Sequence, residues 1–505
     1  PPHPSPTPEP GGFWVGNFNA RVLWKVFTGH YTRPAKHKPA HPKRVVPLPP
    51  QSHIKPVDER TKAGKLLRER CPLASHAGWK AFAERVDPID LLIENSRGRV
   101  EELIPIRYGR MMADPFAFFR GAAAIMAYDL SRTPATGVVL QACGDCHLLN
   151  FGGFATAERK NIFDINDFDE TSVAPWEWDI KRLVASFVVA GRSNGFDAAD
   201  CRETAWLAAR DYQEHMTEYG KMPVLQAWYD AIDAETILNT AVDKEMKRFY
   251  TKKLEAATAK SAHEKEFAKL AFMVGERPRI IDDPPLIYHY ADTREAEFLA
   301  AAALAIADYK GSLSPEQGVL IDRYQLVDAA FKVVGVGSVG TFCGVTLSIS
   351  GNGDPVFMQF KEARRSVLEP YAGNSPYPHH GQRVVAGQRL MQAASDPFLG
   401  WMTRASGDRR HFYVRQLRDA KIKPVVKVMN RSNLKNYARL CGRALARAHA
   451  RSGDAVVLSG YLGKNENFED ALSDFALAYA DQNERDHAAL ISAIRGGRIE
   501  ARPTE

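Results

Sequence analysis

Apolar residues recur along this chain with two periods, one near 3.6 and one near 2, and the switch between them divides it. From about 57 to 130 the pattern predicts helices, with Leu91, Leu92, Met111, Phe116, Phe119 and Ala123 at near-helical spacings. The short apolar run Val138 to Ala142 predicts a buried strand that ends in the loop CGDCHLLNFGGF, Cys143 to Phe154. A second strand, Asn161 to Ile165, leads into the turn NDFDE, Asn166 to Glu170. Ile180, Leu183, Val184, Phe187 and Val188 share one face of a helix starting near Trp176. Residues 198 to about 310 read as mostly helical, with lysine- and glutamate-rich faces around 243 to 270. The period then changes. Tyr324 to Val334, Thr341 to Ser350 and Val356 to Lys361 predict three strands, the last two joined by the turn Gly351-Asn352-Gly353-Asp354. A helix over about 380 to 395, a strand His411 to Leu417 and a long helix over about 433 to 451 complete the pattern, which contains no internal repeat.

These elements predict an α+β protein in four parts. Residues 1–56 form a basic, proline-rich tail expected to be disordered, and 57–310 form a mainly helical lobe carrying the loop and the DFD turn. Residues 311–432 form a β-rich lobe, and 433–505 form C-terminal helices that return to the helical lobe. At 505 residues, 45% hydrophobic and 25% charged, with mean hydropathy −0.32, the composition is that of a soluble globular protein. No apolar run approaches the ~18 residues needed to span a bilayer. The polar, proline-rich first residues are unlike a secretory leader, so a cytoplasmic location is the default expectation.

Charge changes the picture only at one end. Residues 1–56 hold eight Lys or Arg against Glu9, which is the whole formal net charge of +7; the rest balances at 59 basic and 59 acidic residues. The pI of 8.9 therefore describes the tail. Nucleic-acid binding has no support outside it. Six scattered cysteines in a chain this long fit free thiols in a reducing compartment better than a disulfide framework.

Two stretches could carry chemistry. In GDCHLLNF, Asp145 and Asn150 stand five residues apart, and Asp167 follows 17 residues later in the DFD turn. Phosphoryl transfer needs a carboxylate to orient the attacking hydroxyl, and a carboxamide with a carboxylate to hold Mg²⁺ on the phosphates. Asp145 would take the first role, Asn150 and Asp167 the second. The bland alternative is two polar turns whose Asp and Asn bond their own backbone.

The second stretch is GVGSVG, Gly335 to Gly340. In a dinucleotide-binding unit such a motif opens a helix. Here the alternation of Phe342, Val345, Leu347 and Ile349 predicts a strand, which is the arrangement of a glycine hairpin over nucleotide phosphates. Gly335, Gly337, Ser338 and Gly340 would cradle ATP phosphates, with Lys361 on the next strand placed for the α/β-phosphates. A plain glycine hairpin with an edge lysine is the alternative.

CGDCH also matches a c-type haem attachment pattern and half a zinc site, but the sequence shows no export signal and no second ligand pair. Asp179 is expected either to cap the helix near Trp176 or to bond the loop backbone from below. Trp176 and Trp178 are expected to pack, His449 to be a surface histidine, and His379 and His380 to lie in a turn.

On PIRYGRM (Pro105 to Met111), GDCHLLNFGGF, FDINDFDE, PWEWDIKRL (Pro175 to Leu183), VVGVGSVGT (Val333 to Thr341), QFKEA (Gln359 to Ala363) and GRALARAHARSGD (Gly442 to Asp454), the chain resembles a bacterial family labelled domain of unknown function 2252. The resemblance covers about residues 60 to 497. That family is distantly similar to aminoglycoside phosphotransferases and protein-kinase-like enzymes, in which a G-D-x-H-x-x-N loop and an I-D-F-D turn carry the chemistry. Matched here, those positions are Asp145 and His147 as catalytic residues and Asn150, Asp167 and Asp169 as metal ligands. The implied fold is a kinase-like two-lobe fold with extra helices, and the implied function is ATP- and Mg²⁺-dependent phosphotransfer to a small-molecule acceptor. A nucleotide-binding regulatory pseudokinase and an AMP transferase using the same site are the alternatives.

The chain departs from that pattern in three ways. Loop and DFD turn precede the glycine hairpin by almost 190 residues, which implies a circular permutation with His411 to Leu417 as hinge. The 380–395 helix has no glutamate to pair with Lys361, leaving Glu369 or Glu362 as substitutes. Cys143 stands where many such loops have histidine.

Overall fold

The computed structural model describes residues 54–502 except 241–246, 249, 253, 256–266, 268, 276, 285, 290–293, 334, 404–408 and 418–421. Residues 1–53 of the 1–56 tail and much of the charged stretch at 243–270 lie outside the described residues, as does Val334 at the end of its expected strand.

In chain order the first part is helical: α1 (Val57–Arg70), α2 (Pro88–Ser96), α3 (Ile104–Met111), α4 (Pro115–Gly121) and α5 (Ala123–Leu130). Asp87 and Asp114 start α2 and α4 by accepting backbone N–H bonds from Ile89 and Ala117, each with Pro at the first helical position. Next come β1 (Val139–Ala142), β2 (Phe151–Ala155), β3 (Asn161–Ile165) and β4 (Ser172–Pro175). β1 pairs antiparallel with β4, and β2 with β3. The long α6 (Trp176–Ser193) and α7 (Ala198–Lys221) follow, and β5 (Ile232–Asp233) adds to the edge of β3.

The stretch expected to be mostly helical up to about 310 is not uniformly so. A hairpin of β6 (Ala271–Val274) and β7 (Arg277–Ile280) lies within it, as does β8 (Ile287–Tyr288). β8 and α8 (Arg294–Lys310) belong with the β-rich part: β8 is the edge strand of its sheet, and Phe298, Ala302 and Tyr309 pack with Phe331, Phe342 and Phe412 in one core. That sheet is completed by β9 (Tyr324–Lys332), β10 (Cys343–Ser350), β11 (Pro355–Ala363), β12 (Gly400–Thr403) and β13 (His411–Gln416), all antiparallel, in the order β12-β13-β11-β10-β9-β8. α9 (His380–Met391) crosses between β11 and β12.

The chain then re-enters the helical part through α10 (Arg431–Ser452), α11 (Ala455–Leu462) and the 29-residue α12 (Asn467–Arg495). α10 packs along α7, and Leu434, Tyr437, Cys441 and Leu445 join Leu183, Phe187, Ala205 and Tyr212 in the largest core. The result is a mixed α+β molecule, and none of its described helices is long and apolar enough to cross a membrane.

Candidate functional site

β1 delivers the chain into the loop at Cys143, and the loop is fixed from beneath. The buried Asp179, in the first turn of α6, accepts backbone N–H bonds from Cys143 (2.7 Å) and Gly144 (2.9 Å). Of the two roles expected for Asp179, the structure has the second. Gly144 adopts φ +85°, and a Cβ there would stand 2.3 Å from the Glu170 carbonyl oxygen, so only glycine lets the loop pass beneath the DFD turn. Ser186 accepts the Leu148 N–H at 3.1 Å, and the Tyr437 hydroxyl donates to the Leu148 carbonyl at 2.6 Å.

His449 corrects an expectation. It is fully buried, not at the surface, with Nε2 3.2 Å from Asp179 Oδ2 and Nδ1 2.9 Å from the Tyr212 hydroxyl. Its position on the inner face of α10 brings it to α6 and α7. Trp176 packs as expected, stacked on Tyr212.

Asp145 sits above this support. Its carboxylate is gripped by Arg182, with Oδ1 2.5 Å from Nη2 and 2.7 Å from Nε, and lies 3.9 Å from His147 Nε2. Burial lowers the His147 pKa to about 4, so the ring is neutral at pH 7. Asn150 donates from Nδ2 to the Asp145 carbonyl at 2.7 Å, and its own carbonyl accepts the Asn166 N–H at 2.7 Å, tying the loop to the start of the DFD turn.

The two predicted stretches meet at Asp169. The Lys361 ammonium forms an ion pair with Asp169 Oδ2, which also accepts the Ser338 hydroxyl at 3.0 Å; the Tyr413 hydroxyl donates to Oδ1 at 2.6 Å. Strand register explains the convergence. Lys361 on β11 stands opposite Cys343 on β10 and Tyr413 on β13, so Lys361 and Tyr413 project from the same face. Burial would raise the Asp169 pKa, but the charge and hydrogen bond of Lys361 and the bond from Tyr413 bring it down to about 2. Lys361 moves up correspondingly: burial opposes its charge, and Asp169 outweighs burial. Asp167 goes the other way, raised by burial and by the neighbouring Asp169 charge, with Lys361 and Arg415 pulling it back.

Neither expected glutamate partner of Lys361 is one. Glu362, the next residue on β11, projects to the opposite face, where it accepts the Phe342 N–H at 2.9 Å and pairs with Arg410 at 3.1 Å. Glu369 accepts the Ser366 N–H at 3.1 Å and lies 3.7 Å from Arg383. Arg383, on α9, donates to the carbonyls of Asp169 and Thr171 and so holds the DFD turn by its backbone.

The glycine stretch forms the loop between β9 and β10. Gly335 at φ +68° and Gly340 at φ +84° bend it, and it rests on the N-terminal helices: Arg110 donates to the Gly335 carbonyl, Arg99 to the Val339 carbonyl at 2.7 Å, and the Val100 N–H to the Gly340 carbonyl at 2.8 Å. One cleft of about 290 Å³ is lined by Asp145, His147, Asn150, Asp167, Asp169, Gly335, Gly337 and Ser338 together. Gly340 and Lys361 are not in its lining; Lys361 contacts it through Asp169, and Gly340 lies at the base of the loop.

The oxygen atoms of Asn150 and Asp167 suit a hard divalent cation. Beneath the loop, the thiols of Cys143 and Cys146 and a carboxylate oxygen of Asp179 lie within 4.8 Å of one another, all buried. The carboxylate is the third donor the sequence reading did not find. Burial pushes both thiols up, Cys146 to about 11, and Asp179 already accepts two backbone N–H groups, so the cluster is a hydrogen-bonded floor whose cysteines stay protonated thiols.

Sequence reasoning missed Arg182, Tyr413, Arg383, Arg415 and the Tyr212–His449–Asp179 chain. Arg182 left a signal, since it stands three residues after Asp179 in a predicted helix and so on the same face. A family model described as an uncharacterized protein conserved in bacteria (DUF2252) matches residues 99–493, which contain every residue of the site. No curated protein and no solved structure matches the chain.

Proposed function

The chain belongs to the bacterial DUF2252 family, and from that membership and the cleft we propose that it is an ATP- and Mg²⁺-dependent phosphotransferase acting on a small-molecule acceptor in the cytoplasm. The observation that carries the reading is the Lys361–Asp169 ion pair, which joins positions 192 residues apart, with Asp169 in the lining of the cleft. Chance polar turns have no reason to converge on a buried lysine.

The site fits the absent groups on two counts. Burial and the neighbouring Asp169 charge raise the Asp167 pKa, a penalty on its carboxylate that a divalent cation would relieve, with the Asn150 side chain in the same cleft. Ser338, in the glycine loop, and Lys361 share Asp169 Oδ2, which puts a lysine charge and a hydroxyl donor together where a polyanion would be neutralised. Bound Mg²⁺–ATP supplies the transferable phosphoryl group and the charge compensation for it. The protein's own part is positional: Lys361 and the glycine loop hold phosphates, Asn150, Asp167 and Asp169 hold metal, and Asp145 orients the acceptor hydroxyl.

The kinase-like reading of the fold draws support from strand succession. A glycine hairpin (β9, β10), a lysine strand (β11), a helix (α9) and two further strands (β12, β13) lead to the connection at 417–430 and then α10. Placing 335–451 ahead of 138–190 gives lobe, hinge, helix, loop and DFD turn in the usual order, which is a circular permutation.

A second reading rests on Arg182. Its two-pronged grip neutralises Asp145, which favours a nucleotide-binding regulator, or AMP transfer through the same groups, over acceptor activation. The test is ATP–Mg²⁺ binding and slow hydrolysis by wild type, Asp167→Ala and Lys361→Ala, with α- and γ-labelled ATP. Binding that both variants lose, with γ-label transferred and turnover abolished by Asp145→Ala, supports the phosphotransferase. Binding without turnover supports the regulator, α-label transfer the AMP transferase, and no binding by wild type refutes all three.

A further inference from the structure

The wall of the cleft facing the DFD turn is built from α2, α3 and α4 and the segments joining them, and its charge is unbalanced. Arg99, Arg107 and Arg120 line it, and among the described residues no carboxylate oxygen lies within 4.0 Å of any of the three guanidinium groups. Arg107 is 1% exposed and donates only to neutral groups: Ser96 Oγ at 3.1 Å, Asn95 Oδ1 at 3.2 Å and the Gly121 carbonyl at 2.9 Å. Arg99 likewise donates to the Val339 carbonyl at 2.7 Å and to Asn95. The buried Nε atoms of Arg107 and Arg120 have no hydrogen-bond partner at all.

The cleft's acids compensate only at longer range: Glu170 and Glu362 push the Arg99 pKa up, Glu170 does so for Arg107, and Asp145 and Asp114 for Arg120, without overcoming burial. Asp145 is committed to Arg182, Asp169 to Lys361 and Glu362 to Arg410, while Glu170 accepts the Val367 N–H at 2.8 Å. Burial holds Arg99, Arg107 and Arg120 below the ordinary arginine value, and at Arg99 the neighbouring Arg107 and Arg364 add to it. Two buried cations and a half-buried third, none with a carboxylate of the described residues in contact, are costly, and a fold that keeps them together on a cavity wall is prepared for an anion from outside.

We propose that Arg99, Arg107 and Arg120 form an anion subsite, bordering the glycine loop but separate from Lys361, that takes a phosphate-class group carried by the acceptor. The identity of the ligand as the acceptor rests on the phosphotransferase reading; the subsite itself does not. Its place suits the role. The Arg120 carbonyl lies 3.2 Å from where a Cβ on Gly337 would stand, so the wall abuts the tip of the glycine loop, and Asp145 is the first acidic neighbour that the Arg120 charge feels.

The test is equilibrium binding of inorganic phosphate to the full chain, alone and with Mg²⁺ and a non-hydrolysable ATP analogue at saturation. One phosphate is expected to bind in both conditions. Arg120→Gln should weaken it at least tenfold while leaving analogue affinity within about twofold, and Arg120→Lys should retain most of the phosphate affinity. Arg120 makes no hydrogen bond that folding would lose, and unfolding curves of both variants check that. Competition between phosphate and the analogue would assign these arginines to the nucleotide and end the proposal while leaving the phosphotransferase reading intact. Phosphate binding indifferent to both substitutions, or no phosphate binding, would also end it. If the analogue itself fails to bind, that reading falls, and the nucleotide-free titration still decides the subsite by its dependence on Arg120.

Discussion

Replacing Lys361 by Met removes the charge that holds Asp169 while keeping most of the side-chain volume. Lys361 is 4% exposed and Asp169 23%, so the pair is screened poorly. Asp169 titrates at about 2 in place of 3.8, and at ~1.4 kcal/mol per unit this is about 2 kcal/mol in favour of the folded carboxylate. A group depressed in the folded state contributes its stability above the unfolded pKa and loses it as pH falls through the folded value, so the contribution is complete at pH 7 and disappears between about pH 4 and 2. Removing one partner of a buried pair strands the other. Lys361→Met and Asp169→Asn should each therefore cost ~3–5 kcal/mol in urea unfolding at pH 7. The double variant removes both charges and should cost at least ~2 kcal/mol less than the sum of the two. At pH 3 the coupling should persist at roughly half its size, because the folded Asp169 is still largely ionised there while the unfolded carboxyl is mostly protonated. Coupling below ~0.5 kcal/mol would mean that the two residues act independently, and would refute the pairing.

Other parts of the site can be tested separately. Asp179→Asn keeps the shape but leaves either the Gly144 N–H, or the Cys143 N–H and His449 together, without an acceptor, and should lower unfolding free energy by ~1–3 kcal/mol; an unchanged urea midpoint would contradict the support role. Gly144→Ala should destabilise severely, since its Cβ would collide with the Glu170 carbonyl, whereas Gly318→Ala, with nothing within 4 Å in an exposed helix, should stabilise by up to ~1 kcal/mol; equal effects in urea unfolding would refute the close approach. Iodoacetamide at pH 8 should leave Cys143 and Cys146 of the native protein unlabelled, because both are buried and held as thiols; rapid alkylation seen by peptide mass analysis would show the loop floor to be open.

Local periodicity carried the elements whose pattern is local. The apolar face of Ile180, Leu183, Val184 and Phe187 locates α6 from Trp176 onward, and the alternation of Val345, Leu347 and Ile349 locates β10. β12, four residues at a sheet edge, is too short to show a period, and β6 to β8 lie in a stretch whose composition favours helix. The candidate residues of the loop, the DFD turn and the glycine stretch were legible as types, because each chemistry demands particular groups at fixed spacing. Their partners were not. Tyr413 meets Asp169 across 244 residues, His449 meets Asp179 across 270, and Arg182 reaches Asp145 across 37 from a separate helix. Such pairings follow from how helices and sheet pack, which no local window contains. The misplacement of His449 has the same origin: a polar residue on a basic helix reads as exposed until its inward face is known.

The most direct measurement is a structure of the protein with Mg²⁺ and a non-hydrolysable ATP analogue. The phosphates are expected between Lys361 and the Gly335–Gly340 loop, with Mg²⁺ on oxygen atoms of Asn150 and Asp167 or Asp169. Nucleotide bound away from this cleft, or none bound with Lys361 still on Asp169, would contradict the proposed function.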